Sequence, residues 1–251
     1  MYTEKFRLDG KNVLITGGTG HLGVHLAKGF AEAGAGVILA GRSSKKMAKL
    51  ADEINAAGGA CEYVLCDLTK PQSVAPMCDE AWDRRGGIHV ILHNAVPDNL
   101  RTGNILTTTA AGWTTVSNVI FESALALFRS ICPRMVEGEG GSIVSVVSTT
   151  AFTPTKGDRL AYAIAKSSLL ILTKYAAQEF GPQVRANCFN PGTIQTHSEM
   201  AQTPEGAAIM PRIAAGRRGT SEECVGPALF LASEASSYVN GQVINIDGGR
   251  F

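Results

Sequence analysis

The sequence predicts an α/β fold, a doubly wound, seven-stranded, mostly parallel sheet with helices on both faces. Short apolar runs alternate with longer helical patterns along the 251 residues. Most of these runs are continuously apolar, as in strands that are buried on both faces of a sheet. A glycine-rich segment directly follows the first run. Together these features are typical of the Rossmann arrangement. The strands are predicted at 13–16, 37–40, 61–66, 90–93, 143–147, 184–189 and 242–246.

The helical patterns have recognisable starts and ends. Leu22, Leu26 and Phe30 recur every four residues, and Gly34 supplies a stop signal after them. Thr220 and Glu223 have the spacing of a capping box ahead of a later helix. Helices of this length between strands fit the crossovers that parallel strands require.

Composition excludes several classes of protein. The chain is 45% hydrophobic and has a net charge of +1 without a basic stripe, so no nucleic-acid partner is expected. No stretch is apolar enough to span a membrane, and residues 1–12 lack the apolar core of a secretory signal. The six cysteines form no C-x-x-C pair and no cluster with histidine. We therefore expect reduced, buried thiols, a cytoplasmic location, no membrane partner and no metal site.

The stretch TGGTGHLG, residues 16–23, lies between the first strand and an amphipathic helix. Backbone that approaches a pyrophosphate needs residues without a Cβ, and a helix N-terminus offers free N–H groups to phosphates. This context predicts a dinucleotide-binding turn, with contacts from Gly17, Thr19, Gly20, His21, Leu22 and Gly23. His21 is either a surface residue or a cation that touches a phosphate. The first interpretation is favoured because neutral histidine predominates near pH 7.

The residues after the second strand indicate which dinucleotide is bound. An NAD site usually carries a carboxylate here for the ribose hydroxyls, whereas this chain has GRSSKK at 41–46 and offers no carboxylate. Arg42 is placed to meet a 2′-phosphate. The alternative is that Arg42 and the lysines form a solvated helix start, although cations are mildly unfavourable there. We predict NADP, with Arg42 and Ser43 as contacts, and NAD remains possible.

A tyrosine and a lysine mark a candidate reactive site. In YAIAK, Tyr162 and Lys166 stand four residues apart and so share one helix face. The pattern alone is common by chance. Its helix, however, follows the stretch SIVSVVS, which contains the predicted strand and ends at Ser148, and ligands bind at this edge of a parallel sheet.

Taken together, the motifs resemble the single-domain branch of the short-chain dehydrogenase/reductase family, in particular members like 3-oxoacyl carrier-protein reductase. The resemblance rests on TGGTGHLG, Asp67, HNAV at 93–96, Ser148, YAIAK, NPGTIQT at 190–196 and the tail NGQVINIDGG. It implies that Ser148, Tyr162 and Lys166 are catalytic. It also implies one dinucleotide-binding and catalytic domain, 1–251. Within this domain, the segment at about 193–219 carries apolar residues among small ones and is expected to be a substrate lid, with a plain surface loop as the alternative.

The resemblance also implies where the cofactor lies. The residue at Asp67 contacts adenine, Asn94 and Ala95 line the cofactor, and the segment from Pro191 to Thr196 borders the nicotinamide amide. The implied contacts beyond the glycine-rich turn and the second strand are Asp67, Leu68, Asn94, Ala95, Tyr162, Lys166, Pro191, Gly192, Ile194 and Thr196.

The residue types fit hydride transfer between a nicotinamide and a carbonyl carbon. Tyr162 can give the proton to the oxygen, and Ser148 can hold that oxygen. Lowering a tyrosine pKa from ~10 to ~7 requires about 4 kcal/mol. One ammonium at roughly 4 Å supplies that much at an effective dielectric of ~20. The charge of Lys166 is therefore sufficient in size, and its ammonium can also bind ribose hydroxyls.

Some positions depart from the family pattern. His21 replaces the middle glycine, and the spacing of Gly17, Gly20 and Gly23 is that of the family's longer branch, which handles nucleotide sugars. His93 and Val96 replace the first Asn and last Gly of NNAG. Chain length and the Asp-Gly-Gly tail favour the single-domain branch.

The family's fourth catalytic residue, an Asn, falls at Ile120. Isoleucine has no side-chain donor or acceptor. We expect its proton relay to be carried by the main-chain carbonyl of residue 120, if the helix is kinked there, or by Ser117 or Ser123. Asn118 is a poor substitute because it lies on nearly the opposite helix face.

The leading hypothesis is an NADP(H)-dependent oxidoreductase acting on a small-molecule carbonyl or secondary alcohol. The alternatives are an NAD-dependent alcohol dehydrogenase and a non-catalytic dinucleotide-binding regulator on the same fold. A third alternative, a sugar-nucleotide epimerase, is supported only by the spacing of the glycines.

Helices at 110–136 and 159–180 carry more apolar residues than one face needs, including residues 169–172. The resemblance implies a homodimer or homotetramer through these helices and the C-terminal strand.

Overall fold

A computed structural model describes residues 2–154, 157–195 and 210–250. Within these ranges seven strands form one sheet in the order β3-β2-β1-β4-β5-β6-β7. Every neighbouring pair is parallel, so the sheet is parallel throughout and not only mostly so. The predicted doubly wound Rossmann fold is confirmed. The strands are β1 Asn12–Thr16, β2 Gly36–Gly41, β3 Ala60–Leu65, β4 Val90–His93, β5 Gly141–Val146, β6 Val184–Asn190 and β7 Val243–Asn245.

Seven α-helices connect and cover the strands in the described part of the chain. They are α1 His21–Glu32, α2 Ser44–Ala56, α3 Val74–Arg85, α4 Ala110–Ser117, α5 Ser123–Glu137, α6 Leu160–Glu179 and α7 Val225–Ala232. A π-helical turn, Asn118–Glu122, joins α4 to α5. The segment predicted as one helix over 110–136 is therefore interrupted in its middle.

The core lies in two layers, one on each face of the sheet. On β1, Val13 and Ile15 pack with α1, α2 and α7, whereas Leu14 packs with α3, α5 and α6. Successive side chains of a strand point to opposite faces. Since both faces of this sheet are covered, every position of β1 after its first residue is buried. This double coverage is why the strands read as continuous apolar runs.

The cysteines are core residues, as the sequence predicts. All six are free and buried. Burial raises the pKa of the Cys78 and Cys132 thiols to about 12, so these side chains are unreactive at neutral pH.

None of the helices in the described ranges is long and apolar enough to cross a membrane.

The apolar surplus of α6 is smaller than the sequence suggests. Leu169 and Leu170 are buried in the core and are not available to a partner. Ile164, Ile171 and Tyr175 are exposed, by 41%, 51% and 68%. These three residues are spaced by seven and four positions, so they share one face of α6. This exposed face, and not the run 169–172 as a whole, is the apolar surface that α6 presents.

Candidate functional site

The predicted site residues converge at the carboxyl edge of the sheet. Thr16 of β1 pairs with His93 of β4, and His93 pairs with Ser145 of β5. The glycine-rich turn and Asn94 directly follow β1 and β4, and Ser148 lies two residues beyond β5. In an open parallel sheet, ligands bind outside this edge, at the point where the strand order reverses. Here the order reverses between β1 and β4.

The glycine-rich turn depends on two glycines for its shape. Gly17 has φ +67°, and a Cβ there would lie 2.8 Å from the Ala95 Cα. A Cβ on Gly23 would lie 2.1 Å from the Gly17 carbonyl oxygen. Both positions therefore exclude side chains, which keeps the turn tight against β4 and lets α1 begin beside it.

The N-terminus of α1 fits a phosphate group. Gly20 is its N-cap, no side chain caps it, and its first turn holds no acidic residue. The first N–H groups of an α-helix have no partner within the helix, and its dipole is positive at this end. The exposed Gly20 leaves room for a close approach, while Thr19 and Leu22 flank it and are partly buried. These features fit the pyrophosphate of a dinucleotide.

Asn94, which follows β4, is hydrogen-bonded to the end of β1 and to the glycine-rich turn. Its Nδ2 donates to the Gly17 carbonyl oxygen at 2.9 Å. The backbone N–H groups of Asn94 and Ala95 both donate to Thr16 Oγ1, each at 3.3 Å. Asn94 and the buried Ala95 therefore fix the turn, whatever contacts they make with a cofactor.

Arg42 meets a carboxylate that the sequence does not reveal. Its Nη2 donates to Asp98 Oδ2 at 2.8 Å, and both side chains are largely exposed. The stretch 41–46 itself holds no carboxylate, as the sequence shows, but a distant segment supplies one to Arg42. Asp98 comes from the segment after β4, 56 positions away, and no local pattern marks it.

Asp67, Ser43 and Leu68, predicted for the adenine end, have partners within the protein. Asp67 Oδ1 accepts hydrogen bonds from the Thr69 hydroxyl at 2.7 Å and the Thr69 N–H at 3.1 Å. The bond from the Thr69 side chain, followed by its backbone and the nearby cations, lowers the pKa of Asp67. Ser43 caps α2 by accepting from the Lys46 N–H. The Leu68 side chain is buried in the core, so only its backbone can face a ligand.

The side chains of Ser148 and Tyr162 face each other closely enough for the Ser148 hydroxyl to act on the pKa of Tyr162. Thr150 donates to Ser148 Oγ, from its hydroxyl at 3.1 Å and its N–H at 3.3 Å. Burial raises the pKa of Tyr162, and the Ser148 hydroxyl and the charge of Arg159 partly oppose that rise. The tyrosine hydroxyl is therefore protonated at neutral pH.

Lys166 is buried, and its Nζ donates to the Val146 carbonyl oxygen at the end of β5. The Nζ lies 5.9 Å from the centre of the Tyr162 ring. Burial lowers the pKa of Lys166 to about 7. The sequence alone suggests a permanent ammonium beside the tyrosine. The structure instead shows a buried lysine held by backbone, and this burial brings its pKa down towards neutral pH.

The condition set for the carbonyl of residue 120, an irregularity of the helix at this point, is met by the π turn Asn118–Glu122. The Ile120 side chain is fully buried, and its carbonyl oxygen is hydrogen-bonded to His93 Nε2 at 3.0 Å. A carbonyl oxygen has two lone pairs. The Ile120 carbonyl oxygen can therefore hold a second partner, such as the water of a proton relay.

Two neighbours of Ile120 are hydrogen-bonded to backbone. Asn118 Nδ2 donates to the Thr69 carbonyl oxygen at 2.8 Å. Ser123 Oγ donates to the Val119 carbonyl oxygen at 2.7 Å. The Ser123 hydroxyl proton is thus already used, which leaves the Ile120 carbonyl oxygen and Ser117 as the better candidates for the relay.

Backbone contacts fix the first residues of the segment that follows β6. Gly192 has φ +63°, and a Cβ there would lie 2.6 Å from the Asp247 Cα. The Gln195 N–H donates to the Gly219 carbonyl oxygen at 2.7 Å, and the Gly219 N–H donates to the Thr193 carbonyl oxygen at 3.1 Å. These contacts fix the backbone that follows β6 at the carboxyl edge.

Only some of the remaining residues predicted for the nicotinamide end belong to the part of the chain that the structure describes. Pro191 and Ile194 lie in the fixed part and are partly buried. Thr196 and most of the predicted lid, 196–209, lie outside the described residues.

His21 connects the glycine-rich turn to the segment after β6. Its ring Nε2 is 2.7 Å from the Gln195 carbonyl oxygen, which can only accept, so Nε2–H donates. His21 is exposed, as the favoured interpretation expects, but it has a specific partner. The two residues are 174 positions apart, so no sequence pattern signals this contact.

Comparison with known proteins agrees with this geometry. Residues 19–250 match the family model described as enoyl-(acyl carrier protein) reductase. A 3-oxoacyl-(acyl-carrier-protein) reductase of Thermotoga maritima is 32% identical over 246 residues, covering 97% of this chain and 98% of the relative.

Two solved structures show the same architecture. A gluconate 5-dehydrogenase from Burkholderia cenocepacia, in complex with NADP and tartrate, has a TM-score of 0.92 and 30% identity, covering 100% of this chain and 98% of that one. A 3-oxoacyl-(acyl-carrier-protein) reductase from Agrobacterium tumefaciens with NADP bound has a TM-score of 0.91 and 31% identity, covering 99% and 97%. The chain therefore belongs to the short-chain dehydrogenase/reductase family and is an NAD(P)-dependent oxidoreductase.

Proposed function

We propose that this chain is an NADP(H)-dependent oxidoreductase that interconverts a small-molecule carbonyl and its secondary alcohol, with Tyr162 as the general acid and base. The observation that carries the proposal is the grouping of Ser148, Tyr162 and the buried Lys166 at the carboxyl edge of the sheet, with Lys166 Nζ 5.9 Å from the centre of the Tyr162 ring. The NADP found in two similar structures supports the choice of cofactor.

The residues of the chain divide the chemistry between them. When bound, NADPH would supply the hydride for the carbonyl carbon. The Tyr162 hydroxyl donates its proton to the carbonyl oxygen, and the Ser148 hydroxyl donates a hydrogen bond to the same oxygen. With a pKa near 7, Lys166 is protonated in part of the molecules at neutral pH. Its ammonium form favours the tyrosinate that remains after proton transfer.

The cofactor would be held along the sheet edge. The turn from Gly17 to Gly23 and the N-terminus of α1 fit the pyrophosphate. Arg42 and Ser43 are proposed at the 2′-phosphate, Asp67 and Leu68 at adenine, and Asn94 and Ala95 along the ribose side. The proposed nicotinamide contacts are Pro191, Gly192, Ile194 and Thr196, in a segment that also begins the proposed lid at 193–219.

Arg42→Ala should weaken NADPH binding by about ten- to a hundredfold and NADH binding by much less. A charge-assisted hydrogen bond to a phosphate contributes about 1.5–3 kcal/mol. Titration of protein fluorescence with each cofactor measures both dissociation constants. An equal effect on the two cofactors would remove Arg42 from the phosphate site and favour NAD.

Asp98→Asn is the matched control for that experiment. It removes the carboxylate that holds Arg42 but leaves the guanidinium in place. Because exposed ion pairs are weak, NADPH should bind only about two- to fivefold more tightly to this variant. Weaker NADPH binding would show that Asp98 positions Arg42 and does not compete with the phosphate.

We also propose that the chain forms a homodimer or homotetramer. The exposed apolar face of α6, formed by Ile164, Ile171 and Tyr175, supports this, since such a face is stabilised when a second copy covers it. Light scattering at micromolar concentration should give at least twice the 26.4 kDa chain mass. A mass of one chain would contradict the proposal.

The test of the proposed function is a substrate panel. NADPH and NADH oxidation are followed by absorbance with ketones, aldehydes and quinones, and the reverse reaction is followed with secondary alcohols. We expect turnover of at least one carbonyl class, with a higher kcat/KM for NADPH than for NADH. Tight NADPH binding with no turnover in either direction would favour the non-catalytic regulator.

A further inference from the structure

His93 is a fully buried histidine to which the proposed function gives no role. It ends β4 at the carboxyl edge of the sheet. Its Nδ1 lies 3.0 Å from Thr16 Oγ1, and its Nε2 lies 3.0 Å from the Ile120 carbonyl oxygen. The imidazole therefore spans from the end of β1 to the π turn between α4 and α5.

The partners of the ring determine its tautomer from both sides. The Ile120 carbonyl oxygen can only accept, so Nε2 must carry the proton. Thr16 Oγ1 already accepts from the N–H groups of Asn94 and Ala95. A hydroxyl oxygen has two lone pairs, so the Thr16 proton is directed to Nδ1, which accepts it. The partners of Nδ1 and of Nε2 thus both require the neutral tautomer with its proton on Nε2.

The surroundings keep His93 neutral. Burial, and then the charge of the neighbouring Lys166, lower the pKa of His93 to about 3. At neutral pH the ring is thus a neutral donor to the Ile120 carbonyl oxygen. It does not itself carry protons between groups.

The π turn that His93 holds supports the helix of the proposed catalytic residues. The Ile120 side chain lies in an apolar cluster with Ala161 and Ala165 of α6, and Tyr162 packs against the same cluster. Ala161 and Ala165 directly precede Tyr162 and Lys166 in the chain. A shift of the π turn would therefore move the surface on which those two side chains rest.

We propose that His93 is a positioning residue for the reaction. Its Nε2–H fastens the Ile120 carbonyl oxygen to the end of β4 and so fixes α6 against the cofactor edge. The inference rests on the proposed function. His93 and Ile120 both depart from the family pattern, and the inference links them. The His93 side chain of β4 holds the backbone of the π turn at Ile120.

Three substitutions separate the two hydrogen bonds of the ring. In His93→Gln, the amide nitrogen reaches about as far as Nε2 and can still donate to Ile120. In His93→Asn, the shorter amide reaches only the Thr16 side. His93→Phe keeps a ring and removes both bonds.

We expect His93→Gln to keep kcat within about threefold, and His93→Asn and His93→Phe to lower it about ten- to a hundredfold, because small misplacements of reacting groups are costly. The NADPH dissociation constant should stay within about twofold in all three variants. In the alcohol-oxidising direction, the apparent pKa of kcat should move in the Asn and Phe variants and not in the Gln variant. A merely structural role would not give this pattern.

His89→Phe is the matched control. His89 precedes the same strand at its opposite end, and its Nδ1 accepts from the Asn12 N–H at 3.0 Å. This variant also loses a histidine hydrogen bond, but far from the carboxyl edge. Its kcat and the pH profile of its kcat should match those of the wild-type protein.

Nitrogen NMR of the imidazoles gives a second readout that needs no turnover. We expect the His93 ring to be protonated on Nε2 alone, with no titration between about pH 5.5 and 9. A proton on Nδ1, a titrating ring, or a His93→Asn variant with wild-type kcat and pH profile would overturn the role of His93 while the proposed function stands. Absence of turnover in the wild-type protein would overturn both.

Discussion

Replacing Tyr162 by phenylalanine should lower kcat by about a hundred- to ten-thousandfold and leave the NADPH dissociation constant within about twofold. General acid catalysis by a positioned side chain contributes about that much. Phenylalanine keeps the ring that packs against the α6 cluster and removes only the hydroxyl that faces Ser148. Initial rates with saturating substrate and fluorescence titration with NADPH measure the two quantities separately.

Tyr175→Phe is the control for this result. Tyr175 lies on the same helix but is 68% exposed, so loss of its hydroxyl should leave kcat unchanged. A Tyr162→Phe enzyme that retains most of its activity would show that the proton comes from another group. The assigned mechanism would then be wrong even if NADPH binding were as proposed.

Lys166→Ala should reduce both turnover and cofactor binding. The substitution removes the ammonium beside Tyr162 and the proposed donor to the cofactor ribose. We expect kcat to fall at least about a hundredfold and NADPH binding to weaken about tenfold, as for a lost hydrogen bond from a charged group. Lys174→Ala, at an exposed position of the same helix, should change neither quantity. A variant that binds NADPH normally would remove Lys166 from the ribose.

The burial of Lys166 also predicts how stability depends on pH. Its pKa is about 7 in the folded chain and near the ordinary 10.5 when unfolded. Between these values the unfolded state binds more protons, so this group makes stability rise with pH. Lys166→Met removes the effect. Its advantage over the wild-type protein in urea unfolding should be largest at about pH 6 to 7 and smaller at about pH 10. A constant difference across that range would contradict the lowered pKa.

Much of the fold can be predicted because its signals are local. A parallel strand buried on both faces must be apolar along its length, and all seven predicted strands lie within two residues of their observed ends. Parallel strands also end at a common edge. Residues that closely follow them, such as Gly17, Asn94 and Ser148, are therefore brought together by topology alone.

The features that the sequence does not reveal are contacts between distant segments. Asp98 reaches Arg42, His21 reaches Gln195, and His93 reaches Ile120. None of these pairs has a fixed spacing, because each depends on how two separate segments of the chain pack against each other.

The charge state of Lys166 is hidden from the sequence for the same reason. Its Nζ is held by the Val146 carbonyl oxygen, which belongs to another element. The burial that lowers its pKa comes from the packing of the whole site. The spacing of YAIAK predicts that the lysine shares a helix face with Tyr162, but it carries no information on this burial.

The most direct test of the central claim uses NADPH that carries deuterium at the transferable C4 position. The protein is incubated with the carbonyl substrate found in the panel, and the product alcohol is analysed by mass spectrometry. We predict one deuterium on the former carbonyl carbon with the wild-type protein, and almost none over the same time with Tyr162→Phe. Product formation without deuterium, or equal labelling by the Tyr162→Phe variant, would contradict hydride transfer with Tyr162 as the proton donor.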